Sequence, residues 1–413
     1  MEATVADDVW QSNTLKLDGA RVIDRNIYVD PAVHVAEQAR VFAKTWQWVA
    51  HDTELPEFGD YVTAAVAGRP VIVSRGDDGR ITAFFNTCTH RGALLAVQAR
   101  GNSGGSFTCL YHAWCFDTEG KLTSAPLASA YGDRLHKECY DVPKIRLETF
   151  AGNIFLSLDP AVEPLETFLG ETKQYIEKFT GKHEAIGRVR WSLDGNWKLW
   201  HENFRDNYHP MYAHMMIGAN YQGVTIEGQN FDLSQGHSLL AFPPQGNPAG
   251  IGPVIRKLTG KDAGSVPLRA PAPPADAHVD NRNLIMAVFP NLDFQHSAVQ
   301  DHNLLQIVRP LAVDKAIVEI VVFGEKGEPA DVRRARLEGT LDGQTAAGKI
   351  SGDDTEAVRR CAAGFSNVKE VRWSNMDRGQ APGHQGDKND EYSLRAFYVA
   401  YKKYMGDSLR GLG

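Results

Sequence analysis

Apolar residues recur along this chain at two different periods, and the change of period marks out its parts. Asp30-Pro31 offers an N-cap followed by proline at the first helical position, and Val35, Gln38, Ala39 and Phe42 follow at helical spacing. A first helix ending near Lys44 is predicted. From Tyr61 to Ala83 the pattern becomes short apolar runs, at 62–66, 70–74 and 81–85, with Asp77-Asp78-Gly79 as a hairpin signal between two of them. The same style continues through 107–109 and 113–116, past a Glu119-Gly120 turn, to 154–158. Residues 45–158 therefore read as one small all-β domain.

After Asp159-Pro160 the period lengthens: Phe168, Thr172, Tyr175 and Phe179 recur every three or four residues, as on an amphipathic helix. Strand-like runs at 284–288, 304–308 and 316–323 supply an antiparallel sheet, and Leu394, Phe397, Tyr401 and Met405 mark a closing helix. The second domain, 159–413 together with 1–44, reads as α+β. Within it the stretch from Gly246 to Ala275, rich in Pro, Gly and Ala, is expected to be a lid-like insertion over a pocket.

Composition narrows the function classes. The 413 residues are 43% hydrophobic and 23% charged with net charge -7, so nucleic acid and anionic membrane surfaces are disfavoured as partners. The longest apolar run, 316–323, is too short to span a bilayer, and the acidic start Met1-Glu2-Ala3-Thr4-Val5-Ala6-Asp7-Asp8 does not resemble an export signal. A cytoplasmic protein is expected. Five cysteines, an odd number, argue for metal ligation or burial in place of a disulfide framework.

Two of those cysteines have histidine neighbours. Cys88-Thr89-His90 and, after eighteen intervening residues, Cys109-Leu110-Tyr111-His112 place two Cys/His pairs on two loops of the β-domain. A [2Fe-2S] cluster with two thiolates on one iron and two imidazoles on the other needs such a set. A structural Cys₂His₂ zinc site is the bland alternative, but zinc modules pair Cys with Cys and His with His. With Arg91-Gly92 after the first pair and Ala113-Trp114 after the second, the pattern resembles the Rieske motif. Cys115, Cys139 and Cys361 have no such partner and are expected to be buried, inert thiols.

A second constellation runs from Asn196 through Glu202-Asn203-Phe204-Arg205-Asp206-Asn207-Tyr208-His209 to His214. On one regular helix two histidines five residues apart point about 140° away from each other. Pro210 is expected to kink that helix and bring His214 toward His209. Two imidazoles and a carboxylate on one face of a metal are the non-haem Fe(II) arrangement, and the carboxylate must come from elsewhere. Surface or core histidines are the bland reading, and it is kept for His51, His136, His237, His278, His296 and His384.

Together, Cys-x-His, Cys-x₂-His, Asn-Trp-Lys-Leu and Glu-Asn-x₂-Asp-x-Tyr-His-x₄-His resemble the large (α) subunit of Rieske non-haem iron aromatic-ring-hydroxylating oxygenases, over nearly the whole chain. The resemblance implies an all-β Rieske [2Fe-2S] domain, with the cluster on Cys88, His90, Cys109 and His112, beside a larger helix-grip-like catalytic domain. It implies mononuclear Fe(II) on His209, His214 and an acid in Gly352-Asp353-Asp354-Thr355-Glu356, with Asp354 first and Asp353 as fallback. Asp206, three residues before His209, would orient that histidine and bridge to His112 of a neighbouring subunit. The ending Glu391-x₃-Arg395-x-Phe397-Tyr398 resembles α subunits that assemble with a β subunit, implying α₃β₃, with α₃ as the alternative. Leu110, where the family often has Pro, and Arg359-Arg360-Cys361 depart from the family pattern.

Gly250-Ile251-Gly252 lacks the third glycine and preceding strand of a dinucleotide fingerprint, so electrons from NAD(P)H are expected to arrive through a separate reductase or a ferredoxin. The implied activity is O₂-dependent hydroxylation of an aromatic ring, as dioxygenation to a cis-dihydrodiol or as monohydroxylation. A Rieske-type O- or N-demethylase and a non-catalytic electron-transfer or metal-binding protein stand as alternatives. Arg309 on a predicted strand suggests a partner for a substrate carboxylate, hence aromatic acids, and Asn203 joins it as a substrate-contact candidate.

Overall fold

The computed structural model describes residues 22–214, 229–242, 283–297, 302–379 and 390–409. The expected lid at 246–275 and the Gly250-Ile251-Gly252 segment lie outside the described residues. The chain divides into two compact units, Gln38–Phe168 and Met1–Glu37 with Leu169–Gly413. The small unit is wider than the 45–158 read from the pattern. Residues beyond 158 are tied to it: the Trp46 indole donates to the Glu163 carbonyl at 2.9 Å, and Arg146 donates to the carbonyls of Pro160 and Val162.

The small unit is built from three antiparallel sheets. One has four strands in the order Ile81–Phe85, Arg69–Arg75, Asp60–Val66, Arg100–Asn102; the second has Arg146–Phe150, Asn153–Ser157 and Gln47–His51. The third, Ser106–Thr108, Cys115–Asp117 and Leu122–Ser124, carries the second Cys/His loop on its first hairpin. The Asp77-Asp78-Gly79 turn forms as its residues require: Gly79 has φ 78°, and Arg80 N–H donates to the Asp78 carboxylate at 2.9 Å. One apolar cluster joins Val49, Leu55, Val71, Val73, Ile154 and Leu156; a second gathers Phe84, Phe107, Trp114 and Phe116 around Cys88 and Cys109.

The large unit holds a seven-stranded antiparallel sheet in the order His183–Asp194, Lys315–Glu325, His302–Ala312, Leu292–Ser297, Asn283–Val288, Ser238–Phe242, Gln229–Asp232. With its helices this is the α+β class expected. The Trp197–Arg205 helix buries Trp197, Leu199 and Trp200, and Asn196 caps it by accepting from Lys198 N–H at 3.1 Å. Two further helices, Ala330–Gly343 and Ser351–Gly364, and the closing helix Tyr392–Met405 complete the unit. Phe397 and Tyr398 of the family-like ending are fully buried in the core. Among the described residues no helix is long and apolar enough to cross a membrane.

Three expectations need correction. Pro210 does not kink a continuous helix: the first helix ends at Arg205, Asp206 caps it, and Pro210 opens a separate short helix, Pro210–Ala213. His209 and His214 are thus the two caps of one turn of helix, and the missing proline amide costs nothing at a helix start. Cys139 and Cys361 are exposed and Cys115 is half-buried, so these thiols are not core residues. Arg309 is half-buried and sits 3.6 Å from the Glu319 carboxylate, which also meets Arg188. The strand pattern leaves it in an ion-paired cluster within the sheet.

Candidate metal centres

The two Cys/His loops fold by the same local rule. Cys88 N–H donates to Ala93 O and Gly92 N–H to Cys88 O, both at 2.8 Å; Cys109 N–H donates to Trp114 O at 2.8 Å and Ala113 N–H to Cys109 O at 2.9 Å. Each turn closes through a left-handed residue, Gly92 at φ 78° and Ala113 at φ 55°. The repeat explains why the two cysteines and two histidines gather on one side of the small unit. Both thiols are buried, and the imidazoles of His90 and His112 lie edge to face with centroids 4.5 Å apart. His90 stacks on Trp114, and its Nδ1 is buried with no hydrogen-bond partner. Burial pushes the Cys88 thiol up, and nearby Cys109 adds to the rise against the backbone N–H of His90. Two thiols and an orphaned imidazole nitrogen fit a metal cluster, which would take the thiol protons and supply the missing partner.

The second centre stands in the large unit. The Nε2 atoms of His209 and His214 each lie 3.3 Å from Asp354 Oδ1, and the ligand atoms of all three residues fall within 4.8 Å of one another. Asp354 occupies the first turn of the Ser351–Gly364 helix and is buried, yet its Oδ1 accepts no well-aligned hydrogen bond. An unpartnered carboxylate oxygen facing two imidazole nitrogens fits a divalent cation. Asp353, the fallback, meets the other edge of His214: its Oδ2 is 3.4 Å from Nδ1. It can hold the Nδ1–H tautomer that leaves the Nε2 lone pair facing Asp354.

Asp206 does the corresponding thing at His209. Its Oδ1 accepts from Tyr208 N–H at 2.7 Å, and Oδ2 lies 3.3 Å from His209 N and 3.4 Å from His209 Nδ1. The last contact is close enough for charge attraction but poorly aligned as a hydrogen bond, since Nδ1 is left without a partner by strict geometry. Burial works to lower the His209 pKa, but Asp206 and Asp354 outweigh it and hold the metal-free imidazole up at about 9.

A cavity opens beside these ligands. Trp200, Phe204, Pro210, Ile285 and Ile350 give its apolar wall; Asn203, Asn207, Gln295, Gln344 and Ser351 give the polar part. Asn203 is among its lining residues and Arg309 is not. Sequence reading missed Gln295, Gln344 and Ser351. Ser351 was within reach, standing one helical turn before Asp354, whereas Gln295 lies on a strand with no clear alternation.

Comparison with known proteins follows this geometry. Residues 45–149 match the Rieske [2Fe-2S] domain, and residues 180–407 match the ring hydroxylating alpha subunit (catalytic domain). The chain belongs to the ring-hydroxylating oxygenase α-subunit family. It is 31% identical over 397 residues to the anthranilate 1,2-dioxygenase large subunit of Acinetobacter baylyi, covering 88% of this chain and 81% of that one. It is 30% identical over 412 residues to the anthranilate 1,2-dioxygenase large subunit of Burkholderia cepacia, covering 94% of each. Among solved structures, naphthalene 1,2-dioxygenase from Rhodococcus sp. bound to indole superposes with a TM-score of 0.78 at 25% identity, covering 94% of each chain. A quaternary ammonium Rieske monooxygenase shares the fold at 19% identity and TM-score 0.75, so the fold does not by itself choose the substrate. This α subunit is accordingly an enzyme, the terminal oxygenase component of an aromatic-ring-hydroxylating system with a Rieske [2Fe-2S] cluster and a mononuclear iron. It works with O₂, an aromatic substrate and electron-transfer partners.

Proposed function

We propose that Cys88, His90, Cys109 and His112 hold the cluster, that His209, His214 and Asp354 hold the mononuclear iron, and that Asp206 links the two centres across a subunit boundary. The observation that carries the reading is the convergence of two Nε2 atoms on one buried, unpartnered carboxylate oxygen. Iron bound there supplies the redox chemistry with O₂ that no side chain can perform.

The chain's own residues supply placement. Asp206 and Asp353 hold the outer nitrogens of His209 and His214, so that both rings present Nε2 inward. The apolar wall of Trp200, Phe204, Ile285 and Ile350 packs a flat ring and excludes water from it. The second role of Asp206 is to accept a hydrogen bond from His112 of a neighbouring copy. The catalytic unit is then a trimer, α₃β₃ with a β subunit, a reading supported by relatives named as large subunits; α₃ is the alternative. Electrons come from NAD(P)H through a reductase or ferredoxin, which places the system in the cytoplasm. Residues 45–158 serve as the cluster domain, and 1–44 with 159–413 as the catalytic domain.

Asp206→Asn tests the reading. It keeps size and a carbonyl acceptor but removes the charge between the two imidazoles, so both metals stay and the reduced cluster passes its electron slowly in a single turnover with substrate and O₂. Reoxidation at the wild-type rate with full iron occupancy would refute the bridge.

A further inference from the structure

The Trp197–Arg205 helix ends on a buried cation. Arg205 is 3% exposed, and its guanidinium donates to four acceptors: His201 Nε2 at 2.9 Å, Ser238 Oγ at 3.1 Å, and the carbonyls of Gly236 at 2.9 Å and Ser393 at 3.2 Å. The first lies one turn back on the same helix; the others lie on the Ser238–Phe242 strand, the turn before it and the closing helix. The opposing charge is reached through His201. An arginine can only donate, so Nε2 of that ring must accept, and Nδ1–H is left to donate to Asp293 Oδ2 at 3.0 Å. His201 and Asp293 are both fully buried, and burial pulls the His201 pKa down further than Asp293 lifts it, which keeps the ring neutral between the two charges.

This anchor stands beside Asp206. The Asp206 N–H donates to Asn203 O at 3.2 Å as the chain leaves the helix, but the partners of its carboxylate among the described residues, Tyr208 and His209, belong to the same short loop. Contacts within a loop set its shape and not its place. Arg205, one residue away, ties that loop to three other segments of the large unit. Resting on the reading of Asp206 as the link between the two centres, we infer that Arg205, charge-balanced by Asp293 through His201, is the positioning residue that holds Asp206 in register for electron transfer.

The test separates placement from charge balance. Arg205→Met alone strands the buried Asp293 carboxylate and lowers stability, so the decisive variant is Arg205→Met with Asp293→Asn, which removes both charges together. Melting temperature and iron content establish that the double variant is folded and loaded. In a single turnover with substrate and O₂, its reduced cluster reoxidises about tenfold to a hundredfold more slowly than that of the wild type, the range for losing a group that orients a metal site. Arg205→Lys keeps the charge but cannot span all four acceptors, and it slows reoxidation in the same direction. A purely structural anchor predicts a wild-type rate once the charges are balanced. That rate in the folded, iron-loaded double variant overturns the inference; should the double variant not fold, a wild-type rate in Arg205→Lys does so. Asp206→Asn, run alongside, keeps the two readings apart: reoxidation at the wild-type rate there removes the link itself, and this inference with it.

Discussion

Glu202 lies on the Trp197–Arg205 helix that leads to Asp206, and its Oε1 accepts hydrogen bonds from Tyr28 and Tyr398, whose hydroxyls are 2.7 Å apart. Tyr28 and Tyr398 are 2% and 0% exposed, so they close the carboxyl off although the residue as a whole is half-buried. Burial raises its pKa from 4.5 to about 7 despite both tyrosine donors and Lys198. Between those two values the folded chain keeps a proton that the unfolded chain has lost, so stability falls as pH rises through that window and is lowest above it. The shift corresponds to about 3 kcal/mol, nearer 2 after allowance for partial solvent access. Glu202→Gln keeps an acceptor but cannot ionise, and it lacks this slope. Calorimetric melting of the large unit at pH 5 and pH 8 measures the effect: relative to wild type, the variant gains roughly 4–10 °C between the two conditions. An equal difference in melting temperature at both pH values would refute a proton-holding Glu202.

Lys198 and Glu37 form an ion pair with both side chains fully buried, and Glu37 also accepts from Trp197 Nε1 and the Tyr401 hydroxyl. Lys198→Met strands that carboxylate and costs about 3–5 kcal/mol in thermal stability, most of it recovered by adding Glu37→Gln. Asp353→Asn weakens Fe(II) binding about tenfold by chelator competition, the low end for a ligand-orienting carboxylate because Asp353 is 43% exposed. Complete loss of iron in that variant would make Asp353 the ligand in place of Asp354.

What was legible in the sequence was what local rules decide. The Cys88 and Cys109 loops repeat one backbone turn, and the Asp77-Asp78-Gly79 hairpin follows from its residues. The closing helix shows its period because Leu394, Phe397, Tyr401 and Met405 all face the core. The Ala330–Gly343 helix was silent because only Thr340 and Gly343 on it are buried, leaving no apolar stripe to read. The His183–Asp194 strand was hidden for a related reason: its residues are mostly half-buried, with Leu193 alone in the core. Asp354 reached the site through the resemblance and not through pattern, since the helix bearing it packs against His209 and His214 from about 140 residues away in sequence. Arg309 misled because a charged residue on a strand reads as a ligand contact until its partner is seen, and Glu319 on the adjacent strand is that partner. Pro210 misled because a proline inside a His-rich helical pattern marks a kink or a new helix start equally well.

The most direct test of the two-centre account is a count of iron and acid-labile sulfide in purified wild type and in Asp354→Ala, side by side. The account predicts about three irons and two sulfides per chain in wild type and about two of each in the variant, because the cluster and the mononuclear site use separate ligands in separate units. Zinc without sulfide in the wild type, or an unchanged iron count in Asp354→Ala, would contradict it.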